Sequence, residues 1–420
     1  MVLPEDLAPM TLEAQYHHLA ASRCEVALIW EGETWDQRDV VIGRGIVSNI
    51  ANMGVSGEPM AFVVEALAPA TGAAVGDPSR EMGSAIGQLV GMTKLAGRQL
   101  PTVIGRCYRL PGFKTGDTSL TTNKGLLLAG HYFATPTVPT IYEDEEAPTA
   151  YTPIGTLSFS NTTDQLSDPI AILDSTSASD FTASQGAFTF DAAYGGVQAA
   201  DGSNTAALGA TGVISYLLAT SGERVDFERM LRTYALLGGL EIGVYVDKVT
   251  DALKILRDRI LTVLPLVEEQ GEGGIWLRYI DIATQPAEAD LVEGVHLVGR
   301  IGGMEQVSDP DDIYNSITVA YGYDHATGRF ESLYTVNKDN HPLCALSYGL
   351  YGERAAPTLN VDITWDERTA AFIANSRANR LALHRYATAW IADPSMYWLR
   401  EGMIVTVTSE SYGWAARKAV

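Results

Sequence analysis

The sequence predicts a β-rich α+β chain: two small β-barrel-like domains with a mixed α/β domain between them. The first observation is strict alternation from Ile313 to Tyr323. Ile313, Asn315, Ile317, Val319, Tyr321 and Tyr323 fall on one face, and Tyr314, Ser316, Thr318, Ala320 and Gly322 on the other. Period-2 patterning of this kind makes a strand with one buried and one wet face. The second is a switch to helical period between about 211 and 260. The third is composition: forty glycines and eighteen prolines favour short strands and many turns.

With 420 residues the chain is long enough for several domains with real cores. A hydrophobic content of 46% places it with folded globular proteins. The net charge of −22 argues against a nucleic-acid-gripping surface, because phosphate binding needs clustered Lys and Arg. It allows the opposite, an acidic wall that repels DNA. Cys24, Cys107 and Cys344 are widely spaced, so buried free thiols are expected in place of a disulfide framework or zinc site. The N-terminus lacks the basic start and apolar core of a signal peptide. No window approaches the roughly 18 apolar residues of a membrane span. A chain made in the cytosol that stays soluble is the expectation.

Residues 1–22 read as a polar lead-in with a short helix near Leu12–Ala20. An N-terminal β domain follows over 23–112. Its strands lie near Cys24–Trp30, Val40–Ile46 and Phe62–Leu67, with a proline-bracketed strand within 97–112 and a helix near Met82–Leu95. Residues 113–205 read as a turn-rich β/loop insertion, and "EDEE" at 143–146 as a solvated loop.

The mixed α/β domain spans 206–299. Val213, Ile214, Leu217 and Leu218 share one helical face that ends at Ser221-Gly222. Asp226 caps a second helix, in which Phe227, Met230, Leu231 and Tyr234 form the apolar stripe. Ile242, Val244 and Val246 line a strand. Leu253, Leu256 and Ile260 face inward from a helix over about 250–260, and 273–282 reads as a further strand. Residues 300–420 form the second barrel-like domain. It opens with the Ile313 strand, turns through 324–328, and returns on Phe330, Tyr334 and Val336. One helix over 366–391 starts at an Asp366 cap and carries a narrow stripe of Ala370, Ile373, Ala374, Ala378, Leu381 and Ala382. Small alanines let it lie close against a sheet. Arg368, Arg377, Arg380 and Arg385 line its other faces, and "GMIVTVTSE" closes the chain as a strand.

No catalytic, cofactor-binding or metal-binding residue is assigned. The chain has no GxSxG or HExxH motif, and "PGFKTGD" lacks phosphate-loop spacing. His17 and His18 are adjacent, so on a helix they point apart. His131, His296, His325, His341 and His384 have no partners at ligand spacing and read as surface or hydrogen-bonded structural residues. "SDPDD" at 308–312 reads as a turn and cap before the ribbon. The nineteen tyrosines suit a protein interface better than a sugar platform, since tyrosine offers apolar area and a hydroxyl together.

Four segments, in order, resemble the tail-tip or baseplate hub proteins of tailed bacteriophages and gene-transfer particles. They are "GRQLPTVIGRCYRLPG", "GVISYLLATSGERVDFERMLRTYALLGGLEIGVYVD", "DDIYNSITVAYGYDHATGRFESLYTVN" and "DERTAAFIANSRANRLALHRYATAWI…LREGMIVTVTSE". The resemblance implies a homotrimer in the virion tail tip. Each copy would carry two similar β-barrels, and the quasi-sixfold ring would seat on a sixfold tube. It further implies a non-catalytic hub without cofactor, lining the DNA-ejection channel. Its partners would be a tail-tube or distal tail protein ring, other tail-tip proteins and a tape-measure protein, with no sequence-specific nucleic-acid binding and no membrane span. Two rivals stand beside this reading. One is a carbohydrate-active tail enzyme, which needs two carboxylates opposed across a cleft. The other is a glycan- or receptor-binding module with an exposed aromatic platform.

Overall fold

The computed structural model describes residues 23–28, 40–52, 61–66, 74–75, 81–82, 98–115, 125–131, 133, 138–143, 149–150, 156–163, 169–175, 188–192, 209–271, 274–281, 285–306, 308–325, 327–396, 399 and 403–419. The proposed helix near 12–20, residues 83–95 of the one near 82–95, the lead-in, and residues 144–146 lie outside them; Met82 itself is in a strand that pairs with Arg98. The chain divides into two units, residues 1–70 with 270–275 and residues 71–269 with 276–420. The architecture is β-rich α+β, as the sequence predicts.

In the first unit β1 (Arg23–Leu28), β2 (Val40–Asn52) and β3 (Ala61–Ala66) form an antiparallel sheet with β2 in the centre. Arg23 lies opposite Ile46, and Gly45 opposite Ala66. All three strands fall where alternation places them.

The second unit holds a seven-stranded antiparallel sheet. Its strands are β5 (Cys107–Thr115), β6 (Gly125–Ala129), β7 (Ile141–Glu143), β8 (Thr149–Ala150), β9 (Leu157–Thr163), β10 (Pro169–Ser175) and β11 (Phe188–Ala192). Their order is β8-β7-β11-β5-β6-β10-β9. Thus the stretch read as turn-rich supplies six strands of the sheet. Its core is Leu110, Leu126, Leu128, Phe133, Leu173, Phe188 and Phe190, all buried. Every residue of "GLLLA" in β6 is buried, which marks a strand covered on both faces.

Before this sheet, β4 (Thr102–Gly105) pairs with β12 (Gly243–Val246). The approach is so close that a Cβ on Gly243 would clash with the Arg106 carbonyl oxygen. Helix α1 (Gly209–Thr220) buries Val213, Ile214, Leu217 and Leu218, as its spacing predicts. Helix α2 (Phe227–Leu237) is capped by Asp226, which accepts the Arg229 N–H at 3.2 Å. Its buried line differs from the expected stripe: it runs Met230, Thr233, Leu237, and leaves Phe227 and Leu231 exposed. The reason is Thr233, whose hydroxyl donates to the Leu277 carbonyl at 2.9 Å and accepts the Tyr279 N–H at 3.3 Å. These bonds rotate the helix towards its threonine. Helix α3 (Ala252–Ile255) runs on as a π-turn over Leu256–Leu261 and buries Leu253, Leu256 and Ile260. Strand β13 (Leu266–Gly271) pairs with β14 (Gly274–Tyr279).

In the C-terminal part β15 (Ala289–Val292) lies parallel to β21 (Val405–Ser409), which pairs with β22 (Trp414–Ala419). Strands β17 (Ile317–Asp324) and β18 (Arg329–Val336) make the predicted hairpin, with Ile317 opposite Val336 and Asp324 opposite Arg329. Its turn ends on Gly328 at φ +70°, the left-handed region that glycine enters at little cost. Short β19 (Leu359–Asn360) adds in parallel to β17. Alternation holds along β18, whereas β17 buries Ala320, Gly322 and Asp324 as well as Ile317, Val319 and Tyr321, because it is the central strand, and Tyr323, expected on the buried face, is only half-buried.

Two corrections concern helices. The helix expected over 366–391 is α5 (Glu367–Leu381) followed by strand β20 (Tyr386–Ala392). The aromatic and β-branched run "YATAWIA" takes the strand conformation, in which such side chains pack well. A further helix, α4 (Pro342–Tyr351), was not expected. The rest of α5 is as predicted: Asp366 accepts the Thr369 N–H at 2.8 Å, and Ala370, Ile373, Ala374 and Ala378 are buried where the helix packs on β17 and β18.

Candidate interaction surface

The second unit is pinned internally by one buried ionic junction. Arg109 of β5 sits at φ +55°, a region that L side chains rarely adopt. Its Nε donates to Asp324 of β17 at 3.2 Å, with the two side chains 6% and 1% exposed. Its backbone N–H donates to Asp191 at 3.0 Å, and the Tyr142 hydroxyl donates to the same carboxylate at 2.7 Å. The guanidinium also lies 4.6 Å from the centre of the Tyr142 ring. Burial pushes the Asp191 carboxyl above its ordinary range, and the bonds from Arg109 and Tyr142 oppose that shift. Burial likewise pushes the Tyr142 phenol up to about 12, reinforced by its bond to Asp191. Three strands of the sheet and the hairpin meet at this one cation.

Beside the junction lies His325, packed between the rings of Tyr245 and Tyr323, each at 5.0 Å. Burial and then the nearby Arg259 guanidinium push the imidazole down to about 4. Arg259 is held by Asp362 at 2.7 Å and by the Tyr245 carbonyl at 3.1 Å. Cys107 is buried here, and desolvation pushes its thiol up to about 12. A neutral imidazole and a protonated thiol in this setting are packing groups.

The other singled-out residues take local structural roles. Asp309 accepts the Asp311 N–H at 3.0 Å and starts a single 3-10 turn over Pro310–Asp312, so "SDPDD" is the expected turn and cap. His131 Nε2 accepts the Val103 N–H at 2.9 Å, and His296 Nδ1 accepts the Val292 N–H at 3.2 Å. His341 is buried at the start of α4, and His384 Nδ1 lies 3.4 Å from the Ser308 hydroxyl. Cys344 is a buried free thiol. Cys24, His17 and His18 fall outside the residues whose side chains are described. Burial also depresses the Arg377 guanidinium on α5, followed by repulsion from Arg380.

Surfaces that sequence reading missed are the ones that invite contact. Strand β16 (Leu297–Gln306) pairs with β20 as a two-stranded antiparallel ribbon. At one end Leu297 and Trp390 pack with Leu291, Val405 and Val407 of the three-stranded sheet. At the other, Ser308 is buried and its hydroxyl accepts the Arg385 N–H at 2.9 Å. Between these anchors every residue from 301 to 306 is exposed, as are Tyr386, Ala387 and Ala389. The pairing slips between Ile301 and Glu305, where Gly302 has φ +78° and opens a bulge. Ile301, Met304, Tyr386 and Ile391 therefore stand in water. Close by, α4 exposes Leu346, Tyr348 and Leu350. The T-shaped contact of Tyr351 with His384 at 5.3 Å, and the tilted contact of His384 with Tyr386 at 6.4 Å, link α4 to the ribbon.

Chemically, the described groups bury charge in pairs and present uncharged apolar area outward, an arrangement suited to protein contact. No described helix is long and apolar enough to cross a membrane. No protein-family model matches the sequence, and no curated protein is significantly similar to it. Among solved structures, the fold is similar to a chain from the virion of a native gene transfer agent particle. The likeness spans 77% of this chain and 80% of that one, with 16% identity and a TM-score of 0.50. At that identity it is a likeness of fold.

Proposed function

We propose that this chain is a structural protein of a phage-like or gene-transfer particle, acting as a homotrimeric hub that joins the tail tube to the tail tip. The observation that carries this reading is the fold likeness, over 77% of the chain, to a protein of a gene transfer agent virion. The hub role rests on the four ordered segments that resemble that family. Its neighbours would be the tail-tube or distal tail ring, other tail-tip proteins and a tape-measure protein. Charge supports a channel-lining role. Residues 125–222 carry ten carboxylates and no lysine or arginine, a single-signed stretch that would repel passing DNA. The hub does this work by shape and assembly, without catalysis or a cofactor.

The test is location. Purified particles from the producing cell are probed with antibody to this chain and imaged with gold. Label confined to the tail tip, at three copies per particle, is the expected result. Particles lacking the chain, or labelled on the capsid, overturn the reading. Release of reducing ends from cell-wall or capsule glycan by the purified chain would overturn its non-catalytic part.

A further inference from the structure

Helix α4 is at odds with its surroundings. Its ten residues, "PLCALSYGLY", include no charged side chain. It holds to the body through Cys344 and Ser347, while Leu346 and Leu350, one turn apart, are 53% and 61% exposed. Around Gly349 on the same side the space is open, with nothing within 4 Å of where a Cβ would lie. A helix that is apolar on every side belongs inside a protein, so half of its packing is missing. The ribbon of β16 and β20 repeats the pattern: Ile301 is 59% exposed, and among the described residues no further strand adds to either edge of this two-stranded sheet. Exposed strand edges and apolar rows are templates for another chain.

We propose that α4 and the β16–β20 ribbon form the surface on which a second copy of this chain seats. The occupant follows from charge. Each copy carries −22, so two copies repel wherever their carboxylates face each other. They meet at least electrostatic cost where that charge is absent. Helix α4 has none, and the ribbon strands carry Arg300 and Glu305, one of each sign. A basic partner would find nothing to grip here and would bind the acidic surfaces elsewhere. A ring also needs two different patches on each chain, one for each neighbour. The helix and the ribbon supply such a pair, α4 of one copy against the ribbon of the next. The proposal rests on the trimeric reading for copy number alone.

The experiment measures native mass by light scattering for four forms of the full chain. They are the wild type, Leu346→Glu/Leu350→Glu, Ile301→Glu, and a control, Leu231→Glu, on the exposed side of α2. The wild type and control are expected near three times 45.2 kDa. The two surface variants are expected as folded monomers, with association weakened roughly a hundredfold or more, because a carboxylate would be buried at the contact. Surface variants that keep the wild-type mass overturn the proposal. A wild type that stays monomeric at every concentration overturns it too, and leaves the particle-location test standing. Hydrogen exchange in the wild type does not depend on the variants folding. Amides of 342–351 and 386–392 are expected to exchange roughly tenfold or more slowly in the assembled form than in dilute monomer. Equal rates overturn the proposal.

Discussion

Arg109 and Asp324 lie 215 residues apart in sequence and 3.2 Å apart in space, as a buried ion pair joining the seven-stranded sheet to the β17–β18 hairpin. The guanidinium pairs with Asp324, and the backbone N–H of the same residue holds Asp191. Removing the guanidinium takes a buried cation away from both carboxylates. Arg109→Leu is expected to lower the unfolding free energy by about 3–5 kcal/mol, measured by urea denaturation. Adding Asp324→Leu should recover part of the loss, since an unpaired buried charge costs more than an apolar pair. A loss below about 1 kcal/mol for the single variant would refute the junction.

His325 sets a pH dependence with a defined sign. Its folded-state pKa is depressed to about 4, from an ordinary value of 6.5. The neutral imidazole therefore contributes stability that is present above about 6.5 and lost as pH falls towards 4, because the unfolded chain binds the proton first. The groups facing it are the rings of Tyr245 and Tyr323, the Arg259 cation, and the carboxylates of Asp362, Asp324 and Asp247. The expected loss is at most about 3 kcal/mol. His325→Gln should flatten the stability profile between pH 6.5 and 4. An unchanged slope in that variant would assign the effect elsewhere. Asp191 works in the opposite direction: its raised pKa makes folding more favourable as the pH falls through the folded value.

Thr233 orients α2 by accepting and donating at β14. Thr233→Val is nearly isosteric and leaves the Leu277 carbonyl and Tyr279 N–H without the hydroxyl. A destabilisation of about 1–3 kcal/mol is expected by thermal or chemical denaturation. Wild-type stability would mean that packing alone sets the rotation of the helix.

The alanine stripe of α5 sets how closely the helix approaches the hairpin. Ala374 is fully buried, so Ala374→Leu must push the helix away or force strained rotamers. A cost of about 1–3 kcal/mol is expected, read as a shift in the denaturation midpoint. A neutral result would reveal unfilled space under the helix.

Cys107 and Cys344 are buried thiols pushed up to about 12 and about 11 by desolvation. In a Cys24→Ser background, neither should react with a thiol reagent at pH 8 until denaturant is added, because the thiolate is the reacting species. Fast labelling of the native chain would contradict their burial.

Much of the architecture was legible because its cues are local. The caps at Asp226 and Asp366, the buried face of α1, the alternation of β18 and the Gly328 turn each depend on residues within one or two turns of chain. What escaped reading has physical causes. Strand β16, "LVGRIGGMEQ", carries three glycines and is exposed at most positions, so no buried face writes a period into it. Strand β20 follows a strong helix after only a few residues, and its apolar side chains extended that helix on paper. Helix α4 did carry a signal, Pro342 at its start and Gly352 at φ +74° past its end, the asymmetry typical of helix termini. Its uniform apolarity hid that signal by erasing any amphipathic stripe.

By itself the sequence determined the β-rich α+β class, the helix caps, the hairpin with its turn, and the net acidity. These depend on backbone propensity, side-chain period and net charge, which act along the chain. Tertiary structure decided which apolar residues are core and which stand exposed on α4 and the ribbon. It also decided that Arg109 would meet Asp324. Burial and ion pairing depend on what the fold brings within a few ångströms, and no spacing in the chain encodes a partner 215 residues away.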